Sequence, residues 1–251
     1  MELPARLTVG VVGTGRVGAV LGAALSRAGH TVVAASAVSA ASRDRAADLL
    51  PGVPVVGVEQ VLQQATLVLL TVPDDALEDL VSGLVVAGAV QPGQLLAHTS
   101  GRYGLAVLEP AVRVGALPLA LHPVLPFAGT RVDLERLHGT AFGVTAPEAL
   151  RPVAEVLVVE MGGEPVIVAE ADRAAYAEAV ETATAFSTSI VEQASGLLAG
   201  IGIDHPGAMI APLMRSAMEN ALARTSPDRL DLAQLDALDP QGTRDQNDFD
   251  E

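Results

Sequence analysis

Apolar positions in this chain alternate between short continuous runs and stretches with helical spacing. Residues 7–12 form an apolar run that ends at Gly13, and Val20, Leu21, Ala24, Leu25 and Ala28 then recur at helical intervals until Gly29. This reads as strand, tight turn and helix. Residues 31–35 predict a second strand, and residues 39–50 a helix capped by Ser39. A short third strand is expected at 53–56. Residues 66–72 are almost wholly apolar, as in a parallel strand buried on both faces. Pro73 then opens a helix whose first turns carry Asp74, Asp75 and Glu78, favourable to its dipole. Residues 94–98 and 116–122 predict two more strands, with a helix-like stretch at 104–112 between them. Residues 140–144, a helix from Pro147 and residues 165–168 continue the pattern, with antiparallel strands allowed at the edge. Alternation of this kind predicts an α/β fold with a doubly wound parallel Rossmann sheet.

The pattern changes near Glu170. Residues 172–200 lack proline and nearly lack glycine, and predict one long helix. A second helix is expected from Pro206 to about residue 223, and a shorter third after Asp231. Residues 239–251 are polar and acidic, with a composition that predicts disorder. The expected organisation is a nucleotide-binding domain at 1–168, an all-helical domain at 169–238 and an acidic tail at 239–251. No internal repeat is present.

Composition narrows the function. Half of the 251 residues are apolar but only 2% are aromatic, so Val, Leu and Ala must build the core. The absence of cysteine excludes disulfides, thiolate metal sites and cysteine nucleophiles, and no metal site is expected. A net charge of −15 argues against nucleic acid and anionic membranes as partners. No apolar run reaches the roughly 18 residues needed to span a bilayer. The first apolar segment reads as a strand, not a signal peptide, which predicts a cytoplasmic protein. All fifteen basic residues are arginine, so no lysine is available for proton transfer.

Gly13, Gly15 and Gly18 form a G-x-G-x-x-G directly between the first strand and first helix. Gly13 suits the tight turn, Gly15 admits a pyrophosphate to the backbone, and Gly18 lets helix and strand approach. A purely structural glycine turn is the competing reading, and the strand–turn–helix context favours the nucleotide. The second strand ends at Ser36, with no carboxylate before Asp44 to hold an NAD ribose. Ser36, Ser39, Ser42 and Arg43 offer hydroxyls and a cation to a 2′-phosphate, so NADP is expected. The same serines also suit a helix cap, and Arg43 a solvated surface.

Ligands of open α/β sheets bind outside the C-terminal ends of the strands. Those ends carry Thr71 before Val72 and Pro73, then His98, Thr99 and Ser100, then His122, with Pro123 expected to stop its strand. A histidine satisfied by a backbone carbonyl is the commoner case, but two at neighbouring strand ends suggest chemistry. With cysteine and lysine absent, a proton must come from histidine, tyrosine, a carboxylate or water. His122, with an ordinary pKa near 6.5, is the first candidate general acid. Tyr176 is the second, with a packed structural tyrosine as the alternative, and Thr99 and Ser100 are expected to orient the substrate oxygen.

The succession of GTGRVG, TVPDDAL, HTSG and LHPVLPF resembles Rossmann-like oxidoreductases often found beside pantothenate-synthesis genes. These belong to the 6-phosphogluconate dehydrogenase-like superfamily, with pyrroline-5-carboxylate reductase and prephenate dehydrogenase, and some members are similar to an alternative ketopantoate reductase. The resemblance implies an NADP domain followed by a helical domain that dimerises. It implies that Gly13, Thr14, Gly15, Arg16 and Val17 cradle the pyrophosphate, that Val72 and Pro73 flank the nicotinamide, and that Ser100 and His122 lie by the substrate. Thr71, His98 and Thr99 complete the cofactor-side positions. The C-terminal half departs from the family pattern. Tyr176-Ala177 replaces Tyr-His, Ala185 stands near an expected asparagine, and Thr225-Ser226-Pro227-Asp228-Arg229 is a degenerate form of the terminal motif. The expected function is NADP-dependent reduction of a small carbonyl or imine, such as a 2-oxo acid of the ketopantoate type. A non-catalytic NADP-binding sensor or assembly protein is the alternative.

Overall fold

The computed structural model describes residues 6–225. The helix expected after Asp231 and the acidic tail lie outside the described residues. Strand β1 (Thr8–Val12) runs into helix α1 (Arg16–Arg27), followed by β2 (Thr31–Ser36) and α2 (Ala40–Leu49). Then come α3 (Val58–Gln64), β3 (Leu67–Leu70), α4 (Asp74–Val86) and β4 (Leu95–His98). The sheet continues through α5 (Glu109–Arg113), β5 (Leu117–Pro123), α6 (Arg131–Arg136), β6 (Ala141–Thr145), α7 (Arg151–Glu160) and β7 (Glu164–Ile167). Helices α8 (Arg173–Gly200) and α9 (Pro206–Thr225) close the described chain.

Seven strands form one sheet in the order β2-β1-β3-β4-β5-β6-β7. The strands from β2 to β5 are parallel, β6 runs antiparallel to β5, and β7 follows β6 in parallel. The expected doubly wound sheet is present, with its antiparallel pair at one edge. Side chains alternate between two cores because successive residues of a strand face opposite sides. Val11, Leu69, Ala97 and Leu121 pack with Leu21 and Leu25 of α1 and Leu157 of α7. On the other face Val12, Leu70 and Leu96 meet Val61 and Leu62 of α3 and Leu77 and Val81 of α4. Every residue of β3 is buried, and each such leucine contributes about 1.5–3 kcal/mol.

Several local expectations are corrected. Residues 53–56 do not form a strand: only an Ala35–Val55 bridge remains, because Pro54 has no N–H to extend a ladder. The stretch at 104–112 divides into a 3-10 turn at Ala106–Leu108 and the short α5, with Pro110 in its first turn. Strand β5 ends at Pro123, one residue beyond the expected 116–122, and Pro123 pairs with Phe142 across the antiparallel ladder. The short helices α3 and α6 carry too few periodic positions to stand out in the sequence. A Thr130–Asp133 capping box starts α6.

The chain forms two compact units, one ending at Glu181 and the other beginning at Thr182. The first holds the sheet, its covering helices and the opening turns of α8. The second holds the rest of α8 together with α9, and none of its described residues is buried. Phe186, Leu197, Ile201, Met209 and Leu213 are each more than 60% exposed. Among the described residues no helix is long and apolar enough to cross a membrane.

Candidate functional site

Four strand ends meet at one edge of the sheet. Val12, Leu70, His98 and Ala120 stand in register across β1, β3, β4 and β5. The segments that follow them therefore emerge side by side: the glycine loop, Thr71, the 99–104 loop and His122.

The glycine loop is pinned from both sides. Gly13 adopts φ +95°, a left-handed conformation that favours glycine. Its N–H donates to Ser36 Oγ at 3.1 Å, and the Thr71 hydroxyl donates to its carbonyl at 2.6 Å. Thr14 is buried, with its N–H on the Ser36 carbonyl and its hydroxyl 3.0 Å from the Ser42 carbonyl. A Cβ on Gly18 would overlap the Gly13 carbonyl and Thr71 Oγ1, so glycine alone permits this approach of α1 to the strand ends. A Cβ on Gly15, by contrast, would meet nothing within 4 Å. Gly15 caps α1 without a side-chain bond, and the first turn carries no acidic residue. The open backbone and uncapped N–H groups of Gly15, Arg16 and Val17 fit an anionic pyrophosphate.

The candidate 2′-phosphate groups are less free than the sequence suggests. The Ser36 hydroxyl is occupied by Gly13, and Ser42 closes a capping box with Ser39 and donates to the Ser39 carbonyl at 2.8 Å. The Ser42 hydroxyl thus spends its proton on the Ser39 carbonyl, whereas Ser36 Oγ only accepts from the Gly13 N–H. Arg43 is exposed and spends one nitrogen on the Val38 carbonyl. Arg45 is half-buried beside Gly129 and the backbone of Arg16, and among the described residues it makes no ion pair. Arg45 had not been singled out; its position on α2, two residues past Arg43, was the available signal.

Val72 is half-buried against Gly13, and Pro73 caps α4 at the surface. His98 is fully buried. Its Nε2 lies 2.8 Å from the Gly104 carbonyl and its Nδ1 accepts from the Ser100 N–H, which leaves no ring nitrogen for a ligand. Burial is the main cause that lowers its pKa to about 4. The Ser100 hydroxyl oxygen accepts from the N–H groups of Arg102 and Tyr103, so it folds its own loop. Thr99 is half-buried, and among the described residues its hydroxyl bonds to nothing.

His122 and Tyr176 come together. His122 Nδ1 lies 2.7 Å from the Tyr176 hydroxyl, with the rings edge to face at 5.6 Å. His122 Nε2 abuts Gly101, where a Cβ would sit 3.0 Å away. Gly143, opposite His122 on β6, clears room for the phenol: a Cβ there would lie 2.5 Å from the hydroxyl oxygen. Burial first, then the Arg173 cation, lower the His122 pKa to about 4, against a smaller opposing pull from Asp74. This corrects the expected value near 6.5, since His122 is neutral at neutral pH. Burial raises the Tyr176 pKa, while Arg173 and a backbone hydrogen bond with Gly143 oppose the rise. Arg173, Gly101 and Gly143 had drawn no attention in the sequence; only the i, i+3 spacing of Arg173 and Tyr176 hinted at a shared helix face. Among the described residues no cluster of histidines and carboxylates suits a metal ion.

This is a Rossmann-type fold with a glycine-rich strand–turn–helix loop and an imidazole–phenol pair at the same sheet edge. Residues 2–123 match a family model described as a Rossmann-like domain, and residues 140–230 match one described as a domain of unknown function (DUF2520). No curated protein sequence matches the chain. Among solved structures, it is similar to a Bacteroides fragilis protein assigned as an NADP oxidoreductase. That likeness has 18% identity and a TM-score of 0.72, and spans 90% of this chain and 82% of that one. An imine reductase from Pseudomonas sp. shares 19% identity at a TM-score of 0.65, over 92% and 79% of the two chains. A pyrroline-5-carboxylate reductase from Coxiella burnetii shares 14% at 0.65, over 94% and 86%. At these identities the likeness is one of fold.

Proposed function

We propose that this chain is an NADP-dependent oxidoreductase that reduces a small carbonyl or imine. One observation carries the reading: the glycine cradle and the His122–Tyr176 pair emerge from strand ends held in register at one sheet edge. Gly13, Thr14, Gly15, Arg16 and Val17 would hold the pyrophosphate, Arg43 and Arg45 would supply cations for the 2′-phosphate, and Val72 and Pro73 would flank the nicotinamide. A reduced nicotinamide supplies hydride when bound there.

The protein's own task is the proton. His122 is neutral at working pH and serves as a hydrogen-bond partner, not as an imidazolium acid. Tyr176 becomes the donor: its phenol gives a proton to the substrate oxygen or nitrogen as hydride arrives at carbon. A neutral His122 with its proton on Nδ1 donates to the phenol oxygen, leaving the phenol's own proton free for the substrate. Thr99 is the remaining hydroxyl placed to orient that substrate. The solved relatives named for NADP oxidation–reduction and imine reduction support this class, and a 2-oxo acid of the ketopantoate type remains the first substrate to try. The exposed apolar side chains of α8 and α9 support a homodimer, and the cysteine-free chain suits the cytoplasm.

The test is NADPH oxidation over a panel of small 2-oxo acids and cyclic imines, with parent and Tyr176→Phe protein. Turnover that falls on the order of 10² or more in the variant supports the reading. Tight NADPH binding without turnover across the panel points instead to the non-catalytic nucleotide-binding protein, which the altered motifs of the helical half favour.

A further inference from the structure

Arg173 is a buried cation without a carboxylate. Its side chain opens α8 and is 3% exposed. Nε donates to Thr145 Oγ1 at 2.7 Å, and one terminal nitrogen donates to the carbonyls of Gly143 at 3.1 Å and Ala120 at 3.3 Å. The other terminal nitrogen has no hydrogen-bond partner. Thr145 is itself fixed by donating to the Val168 carbonyl at 2.6 Å. An arginine stays protonated in proteins, and an uncompensated buried charge costs several kcal/mol. The guanidinium carbon lies 5.5 Å from the centre of the Tyr176 ring, and the carbonyl it holds belongs to Gly143, the residue that makes room for the phenol.

We propose that Arg173 is a positioning residue for Tyr176: clamped on Thr145, Ala120 and Gly143, it fixes the phenol against His122 and stabilises the phenolate left when Tyr176 gives up its proton. This rests on Tyr176 as the donor of the proposed reduction. The step balances simply: the phenol O–H bond breaks, the proton goes to the substrate oxygen or nitrogen, and a proton taken up from solvent later restores the phenol. Two donors meet that oxygen, His122 Nδ1 from β5 and the Gly143 backbone from β6, while the Arg173 cation from α8 lies over the ring. The charged groups on the far side are Asp74 at the start of α4, felt by His122, and Glu170 ahead of α8, felt by Arg173. Glu170 is already committed to the N–H groups of Leu105 and Ala106, so it does not neutralise the guanidinium by direct pairing. Burial alone would push the phenol up, and Arg173 acts against that rise.

The chain has two tyrosines and no tryptophan, which makes the phenol directly visible. In a Tyr103→Phe background, the ultraviolet absorbance of tyrosinate titrates Tyr176 alone, with no cofactor or substrate present. Arg173→Gln is expected to raise the titration midpoint by about one pH unit or more, and Arg173→Lys to restore part of the difference. An unchanged midpoint in folded Arg173→Gln protein overturns the proposal. If that variant does not fold, Thr145→Val decides, because it removes the Nε anchor while keeping the shape of the side chain. A raised midpoint there supports the positioning role, and an unchanged one overturns it. Because the titration needs no turnover, a failed reduction assay with a shifted midpoint refutes the reductase reading alone.

Discussion

Gly143→Ala separates the geometry of the site from the stability of the sheet. A Cβ at this position would stand 2.5 Å from the Tyr176 hydroxyl oxygen, 2.6 Å from its ring carbon Cζ and 3.1 Å from Cε1. Ordinary carbon contacts need about 3.5–4.0 Å, so the phenol must retreat by roughly 1 Å. The same oxygen makes the 2.7 Å bond to His122, which a retreat of that size breaks. Losing such a bond costs about 0.5–1.5 kcal/mol. Alanine in a strand recovers about 0.5–1 kcal/mol over glycine, because it gives up less backbone freedom on folding. Gly143 does not have a positive φ, so no backbone strain enters. The two terms nearly cancel, and Tyr176 is only half-buried, so thermal stability should change by no more than about 1 kcal/mol. Catalysis has no such compensation, since a 1 Å misplacement of a reacting group costs on the order of 10² in rate. Melting curves followed by circular dichroism, paired with steady-state kinetics, should show a folded protein with a hundredfold lower kcat. A variant with normal turnover would refute the reasoning, and one that fails to fold would assign Gly143 to the scaffold.

NADPH should bind several-fold more tightly than NADH, and Arg43→Ala or Arg45→Ala should narrow the gap; equal affinities by calorimetry in the parent protein would remove the argument. His98 and His122 both have pKa values near 4 in the folded state against 6.5 ordinarily, so the stability they contribute is complete above about pH 6.5 and is lost as the pH falls toward 4. For His98 the limit is about 3 kcal/mol, and His98→Asn should flatten the acid limb of the stability curve; an unchanged slope contradicts this. The second unit, with Phe186, Leu197, Ile201, Met209 and Leu213 exposed, should form a symmetric dimer at micromolar concentration, and a monomeric mass by light scattering speaks against it.

Much of the architecture was legible because local rules and tertiary packing agree there. The apolar run ending at Gly13, the buried LVLL of β3 and the unbroken 173–200 helix each carry one period and one reading. Residues 53–56 misled because β propensity cannot reveal a missing N–H at Pro54. Local bonds of the serines were not legible either: Ser36, Ser42 and Ser100 satisfy nearby backbone groups, and a hydroxyl bonded locally looks identical in sequence to one that is not. His122 was found at a strand end, but its neutrality was not, because burial, its first cause, and the Arg173 cation of α8, its second, arise only once the chain is folded. The same dependence hid Arg173 and Gly143, whose roles exist only once β6 and α8 lie against β5.

A crystal structure of the protein with NADP tests the central claim most directly. The account predicts the pyrophosphate on the backbone of Gly13–Val17, the 2′-phosphate toward Arg43 and Arg45, and the nicotinamide ring beside Val72, facing the His122–Tyr176 pair. A nicotinamide directed away from Tyr176, or a cofactor seated elsewhere on the chain, would contradict it.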